Sequence, residues 1–106
     1  MQSSVLEQTG KKRTDPNRIG DMAEYYAVTW LWDNGYNVFK NAGCTGEVDL
    51  IAMKDGEIIL IDVKTQRSGV KASSRRSKLQ KDLGVQLLDF NADTRTLRFK
   101  AHKDVS

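Results

Sequence analysis

The stretch Gly46-Glu47-Val48-Asp49-Leu50-Ile51-Ala52, with Ile61-Asp62-Val63-Lys64 following shortly after, decides how this chain reads. Both are apolar runs of strand length broken by charge. The tight-turn signal Lys54-Asp55-Gly56 stands between them, so they read as two antiparallel strands of one hairpin. Charged side chains inside apolar runs are costly unless paired or bound to a cation. Two acids and a lysine in adjacent strands therefore point to a site rather than to a requirement of folding.

The flanking sequence completes a domain around that hairpin. Asp15-Pro16 is a helix start, the acid as cap and proline at the first helical position. Ile19, Met22, Ala23, Tyr26, Ala27 and Trp30 recur at helical spacing, and Gly35 is the expected stop, so a helix is predicted over about 16–34. Tyr36–Lys40 alternates as a short strand. Glu47–Met53 is a second strand. Glu57–Lys64, almost wholly apolar between its ends, is a third and takes a central place in the sheet. Ser77–Leu83 carries one or two turns of helix. Gly84–Phe90 and Arg95–Lys100 form a closing hairpin about Asn91-Ala92-Asp93-Thr94. Residues 1–14, with Lys11-Lys12-Arg13, read as a flexible basic arm, and residues 15–106 as a single domain.

The composition, with 106 residues, 39% apolar and 29% charged, is that of one globular unit with a modest core. No apolar run has membrane-spanning length and no signal-peptide pattern opens the chain. One cysteine, Cys44, excludes an internal disulfide, and with the single His102 it excludes a Cys/His zinc cluster. Cys44 reads as an incidental thiol and His102 as solvated. A reducing, cytoplasmic setting is expected. The net charge of +3 matters less than its distribution. Lys64, Arg67, Lys71, Arg75, Arg76, Lys78 and Lys81 form a strip without an acid. Those seven of 17 basic residues leave ten elsewhere against 14 acids. A mildly acidic body with one basic strip is the footprint of a polyanion partner. The strip could equally be a solvated loop; its place directly after the acidic site favours phosphate contact by Arg67, Lys71, Arg75, Arg76 and Lys78.

Side chains two apart on a strand share a face. Asp62 and Lys64 point one way, and Glu47 and Asp49 share a face of their strand. The hairpin brings Asp49 and Asp62 within reach of each other. Glu24 lies at the edge of the helix's apolar stripe, one turn above Gly20, which leaves room for a close approach. Two or three carboxylates suffice for Mg²⁺, which keeps several waters of its own, and Mn²⁺ should substitute. Such a cation makes a nucleophile of water near neutral pH and stabilises charge on a phosphodiester. Lys64 would orient or deprotonate that water, or stabilise the pentavalent phosphorus. The bland alternative pairs Asp49 with Lys64 and leaves Asp62 bonded to a turn. It accounts for two of the residues but not for three carboxylates and a lysine.

With Gly20 and Glu24, then Gly46–Ala52, then Asp62-Val63-Lys64, the chain resembles the PD-(D/E)XK nuclease superfamily over about residues 18–66. It is similar to small members: archaeal Holliday junction resolvases, a group of bacterial proteins with a Gly-Glu-(Ile/Val)-Asp-Leu-Ile-Ala strand, and phage or intron-encoded homing endonucleases. The resemblance implies an α/β, restriction-endonuclease-like core, a central mixed β-sheet flanked by α-helices. It implies that Asp49, Asp62 and the Val63 carbonyl bind metal, that Glu24 does so directly or through water, and that Lys64 is the catalytic lysine. Gln66 falls where some members place a glutamine near the site, and Glu47 is a possible fourth carboxylate. DNA as substrate is implied by the resemblance alone. Val48 stands where proline is common and Asp62 where glutamate is. The region after Lys64 is brief, so the covering helix is missing unless Ser73–Leu83 supplies it.

Three functions follow as expectations. One is a metal-dependent endonuclease on branched or structured DNA, acting as a homodimer that presents two sites to two strands. The second is a sequence-specific homing or restriction-type endonuclease. The third, of another class, is a non-catalytic nucleic-acid-binding module.

Overall fold

The computed structural model describes residues 16–43, 46–66 and 75–99. The basic arm at 1–14, Cys44, Arg67, Lys71 and His102 lie outside the described residues. Helix α1 (Pro16–Asp33) precedes strands β1 (Asn37–Lys40), β2 (Leu50–Lys54) and β3 (Glu57–Gln66). Helix α2 (Lys78–Leu83) and strands β4 (Gln86–Asn91) and β5 (Thr96–Phe99) complete the fold. The five strands form one sheet in the order β1-β2-β3-β4-β5. β3 and β4 run parallel and all other neighbours antiparallel, so the sheet is mixed and β3 is central, as the apolar run predicts.

Local chemistry sets the element ends. Helix α1 stops at Gly35, whose φ of +88° is left-handed. The Gly35 N–H donates to the Trp32 carbonyl at 2.9 Å and the Tyr36 N–H to that of Leu31 at 3.0 Å. These two bonds satisfy carbonyls that a helix end otherwise leaves open. Asp55 and Gly56, at φ of +52° and +83°, make the primed turn that suits the twist of the β2–β3 hairpin. The second strand starts later than the sequence pattern predicts, at Leu50 rather than Glu47. Gly46 takes a φ of +97° and residues 46–49 bend before pairing begins. Asp49 thus stands at the mouth of β2 and not in its middle.

The core lies between α1 and one face of the sheet. Ala23, Ala27 and Leu31, one helical turn apart, are buried along α1. The two alanines let the helix close on Leu50, Ala52, Ile61 and Leu88, all fully buried. Each Leu or Ile buried there contributes about 1.5–3 kcal/mol. Tyr26 stacks on Phe90 with ring centroids 5.0 Å apart, and its hydroxyl accepts from Arg95 Nη1 at 2.9 Å, which ties the last hairpin to α1.

The opposite face receives the alternate residues. Leu60 and Asp62 of β3 pair with Ile51 of β2 and Leu87 of β4 respectively. Helix α2 caps this face at one end. At the other, Phe39, Met53 and Ile58 stay exposed. Trp32 and Tyr25, on the outer side of α1, are also exposed.

Candidate active site

The hairpin brings Asp49 and Asp62 side by side, Asp49 one residue before Leu50 and Asp62 one residue after its partner Ile61, close enough that Asp62 raises the pKa of Asp49. Beyond Leu50, the last β2 residue paired with β3, the Val63 N–H takes Asp49 Oδ2 as its acceptor at 2.8 Å. Burial drives the Asp49 carboxyl up from the usual 3.8 to about 7, and the adjoining Asp62 carboxyl adds to the rise. The Val63 N–H opposes that shift, and the Glu24 charge contributes a smaller push in the same direction as Asp62. An open depression of about 200 Å³, lined by Lys40, Asn41, Val48 and Leu50 among others, lies beside Asp49.

Lys64 Nζ stands 3.1 Å from Asp62 Oδ2. The same oxygen accepts from Gln80 Nε2 at 2.8 Å. The pairing differs from the bland alternative above: Lys64 goes to Asp62, and Asp49 bonds to backbone. Glu24 is directed to Lys40 instead of to the two aspartates, its Oε1 2.8 Å from the ammonium. Nothing lies within 4 Å of where a Cβ would stand at Gly20, so the turn below Glu24 is open. Among the described residues no three acidic, histidine or cysteine side chains gather in one cluster. The carboxylates that this end of the sheet brings together are Asp49 and Asp62, without the third that the sequence predicts from Glu24.

Helix α2 is fastened to this site through its cap. Ser77 accepts from the Gln80 N–H, and the Ser77 N–H donates to Gln80 Oε1, a reciprocal pair that closes the first turn. With its oxygen so occupied, Gln80 aims its Nε2 at Asp62 and at the Glu47 carbonyl, 2.9 Å away. The Ser77 hydroxyl also donates to Glu47 Oε1 at 2.7 Å. Glu47 is thus engaged with the cap of α2. Gly84, at φ +75°, ends the helix, and the chain enters β4 immediately. Gln66 occupies the last position of β3, opposite Asn91, and its carbonyl accepts from Ala92.

The described part of the basic strip divides by role. Arg76 Nη1 donates to the Val85 carbonyl at 3.0 Å and so helps hold the α2–β4 junction. Lys78 pairs with Asp82 one turn along α2 at 3.1 Å, with most of its side chain in solvent. Arg75 is exposed beside them.

Two residues on this face escape the sequence reading. Gln80 had a signal, since Ser77-Lys78-Leu79-Gln80 is a capping-box spacing. Asp89 had one as well, because an acid within Leu87-Leu88-Asp89-Phe90 is the same anomaly that marks Asp49 and Asp62. Asp89 lies opposite Lys64 across the parallel β3–β4 pair. It is 4% exposed, and its Oδ1 has no hydrogen-bond partner.

A profile of the uncharacterised protein family UPF0102 matches residues 23–96, more than half of the chain, from α1 into β5. The chain belongs to UPF0102. It is 41% identical over 70 residues to a UPF0102 protein of Agrobacterium fabrum, covering 64% of this chain and 57% of that one. Against a UPF0102 protein of Treponema pallidum it is 39% identical over 51 residues, covering 46% and 40%. This UPF0102 chain therefore spans about half the length of the curated relatives it matches. Its fold is also that of a solved bacterial homing endonuclease, I-Ssp6803I, at a TM-score of 0.66. That match has 16% identity and covers 81% of this chain and 68% of the other. The α/β, restriction-endonuclease-like core is thus the fold of this UPF0102 member. No helix among the described residues is long and apolar enough to cross a membrane.

Proposed function

We propose that this chain is a divalent-metal-dependent endonuclease that hydrolyses DNA phosphodiester bonds, acting on branched or structured DNA. The observation that carries the reading is the juxtaposition of Asp49 and Asp62 across the β2–β3 hairpin, with Lys64 3.1 Å from Asp62, in a sheet whose fold is shared with an endonuclease.

The donor set fits a hard cation. Two carboxyls share a partly desolvated place, and burial together with the adjoining Asp62 drives Asp49 toward its neutral form. Asp49, Asp62 and the Val63 carbonyl would hold Mg²⁺, with Mn²⁺ as a substitute. Glu24 would join them directly or through water on leaving Lys40. Bound there, the ion supplies Lewis acidity toward the phosphate and the attacking water.

The chain's own residues do the rest. Gln80 and the α2 cap hold the Asp62 carboxylate in one orientation. The Val63 N–H does the same for Asp49. Lys64 brings a positive charge beside Asp62, where it orients the water and offsets charge developing on phosphorus. Arg75, Arg76 and Lys78, next to Ser77 and Gln80 in the chain, would contact the phosphate backbone, with Arg67 and Lys71 of the same stretch of sequence.

A second reading, a homing or restriction-type enzyme that cuts one duplex sequence, is favoured by the fold likeness to I-Ssp6803I. Two copies of the chain would serve either reading by placing a site on each strand.

The test is a panel of four-way junction, linear duplex, nicked duplex, single strand and RNA, incubated with the protein in Mg²⁺, Mn²⁺ or EDTA. Metal-dependent cutting confined to the junction supports the first reading. Cutting at one site in long duplex supports the second. Salt-sensitive binding without any cutting would reduce the chain to a binding module and refute both.

A further inference from the structure

We propose that Asp89 is a positioning residue for Lys64: it receives the lysine ammonium when a divalent cation occupies Asp62. The proposal rests on the metal site described above.

Three observations lead to it. Lys64 has a single partner among the described residues, Asp62 Oδ2 at 3.1 Å. That oxygen already accepts from Gln80 Nε2. A doubly charged cation on the same carboxylate would repel the ammonium and compete for the oxygen, so occupancy of the site weakens the one contact that now fixes Lys64.

The second observation is register. Asp89 is the residue directly opposite Lys64 in the parallel β3–β4 pair, so the two side chains leave the sheet on the same face. Their neighbours agree. Val63 and Leu88, also a register pair, face α1. Adjacent strands lie about 4.8 Å apart, well within the reach of a lysine.

The third is the state of Asp89 itself. It is 4% exposed, and its Oδ1 has no partner. A buried carboxylate oxygen without a donor is costly, and native structures rarely leave one unpaired. The polar groups that reach this face from α2 and its flanks are already committed, Gln80 to Asp62 and Glu47, Ser77 to Glu47, and Arg76 to the Val85 carbonyl, while Arg98, opposite Asp89 in the antiparallel β4–β5 pair, is exposed. Of the two cations beside Asp89, Lys64 on β3 and Arg98 on β5, Lys64 is the one that a metal ion on Asp62 would release. The exchange would hold the ammonium beside the metal-bound phosphate and keep it from remaining on Asp62.

The test is a double-mutant cycle of Lys64→Met and Asp89→Asn, with thermal midpoints measured in EDTA and in saturating Mn²⁺. In EDTA the two substitutions should be close to additive, because the Lys64 ammonium pairs with Asp62 and not with Asp89. In Mn²⁺ they should depart from additivity by roughly 4 °C or more. Additivity in both conditions overturns the proposal, and so does equal coupling in both, which would make the pair a fixed structural contact. Asp89→Leu repeats the measurement should the asparagine variant not fold.

Single-turnover cleavage adds a second readout. Asp89→Asn should slow the reaction about tenfold or more with DNA affinity unchanged, and Asp89→Glu should recover part of the loss. A drop in Mn²⁺ affinity in Asp89→Asn would make Asp89 a metal ligand and overturn the positioning role. Wild-type protein that binds Mn²⁺ yet cuts no nucleic acid would refute the endonuclease reading while the cycle still decides on Asp89. Wild-type protein that binds no Mn²⁺ would refute both.

Discussion

On the face under α1, Leu50, Ala52, Ile61 and Leu88 are fully buried and all apolar; on the other face the next residues along the same strands include Asp62, Lys64 and Asp89. The strand period of two lets one run of sequence serve both purposes. Ile61 and Val63 anchor β3 to the helix while Asp62 and Lys64, between and after them, are held out toward the site. The difference teaches why the charges can be kept. Their desolvation is offset by a core on the reverse of the same strands, where Leu50, Ile61 and Leu88 are fully buried.

The sharpest way to break the comparison is to substitute adjacent residues of β3. Asp62→Ala or Lys64→Ala should lower the cleavage rate about 10³-fold or more with DNA binding retained. Ile61→Ala should cost about 2–5 kcal/mol of stability, read by denaturant unfolding, and leave the rate per folded molecule near that of wild type. A stability loss in Asp62→Ala with unchanged cleavage would reverse the assignment of the two faces.

Next in size is a pH effect at Asp49. Its carboxyl titrates near 7 in the fold and near 3.8 when unfolded. The native state therefore binds the extra proton between these values, and the Asp49 contribution to metal-free stability should be full below about pH 4 and be lost as pH rises to about 7. Asp49→Asn should flatten that part of the profile and be the more stable protein above pH 7. A midpoint series in EDTA checks both. An unchanged slope in the variant would place the titration elsewhere.

Smaller effects belong to α2, the device that joins the two regions. Ser77→Ala removes the cap that points Gln80 at Asp62 and should cost about 1 kcal/mol, with a several-fold slower reaction. Replacing Arg75, Arg76 and Lys78 together by alanine should lower the salt slope of log affinity by about 0.9 for each phosphate that is no longer neutralised. An unchanged slope removes that role. Arg76→Ala should also loosen the α2–β4 junction, because its guanidinium holds the Val85 carbonyl.

Much of this was legible in the sequence because it follows from period and punctuation. Gly35, Asp55-Gly56 and the apolar run of β3 specify their own local structure, and an acid inside an apolar run marks a site whatever the fold. What was not legible depends on side-chain partners far apart in the chain. Glu24 sits at the edge of the apolar stripe as expected, but its approach to Lys40 depends on how α1 lies over β1. The late start of β2 depends on the bend after Gly46, which no propensity encodes. Asp89 was visible by the rule that found Asp49 and Asp62, yet its bearing on Lys64 needs the parallel register of β3 and β4, fixed only when the chain crosses through α2.

The measurement that tests the account most directly is strand scission of a four-way junction and a long duplex by wild type and by Asp62→Ala, in Mg²⁺ and in EDTA. Metal-dependent cutting by wild type, absent from the variant and from EDTA, is the expected result. Cutting that survives loss of Asp62 or removal of the metal would contradict the claim that this face of the sheet is a metal-dependent phosphodiesterase site.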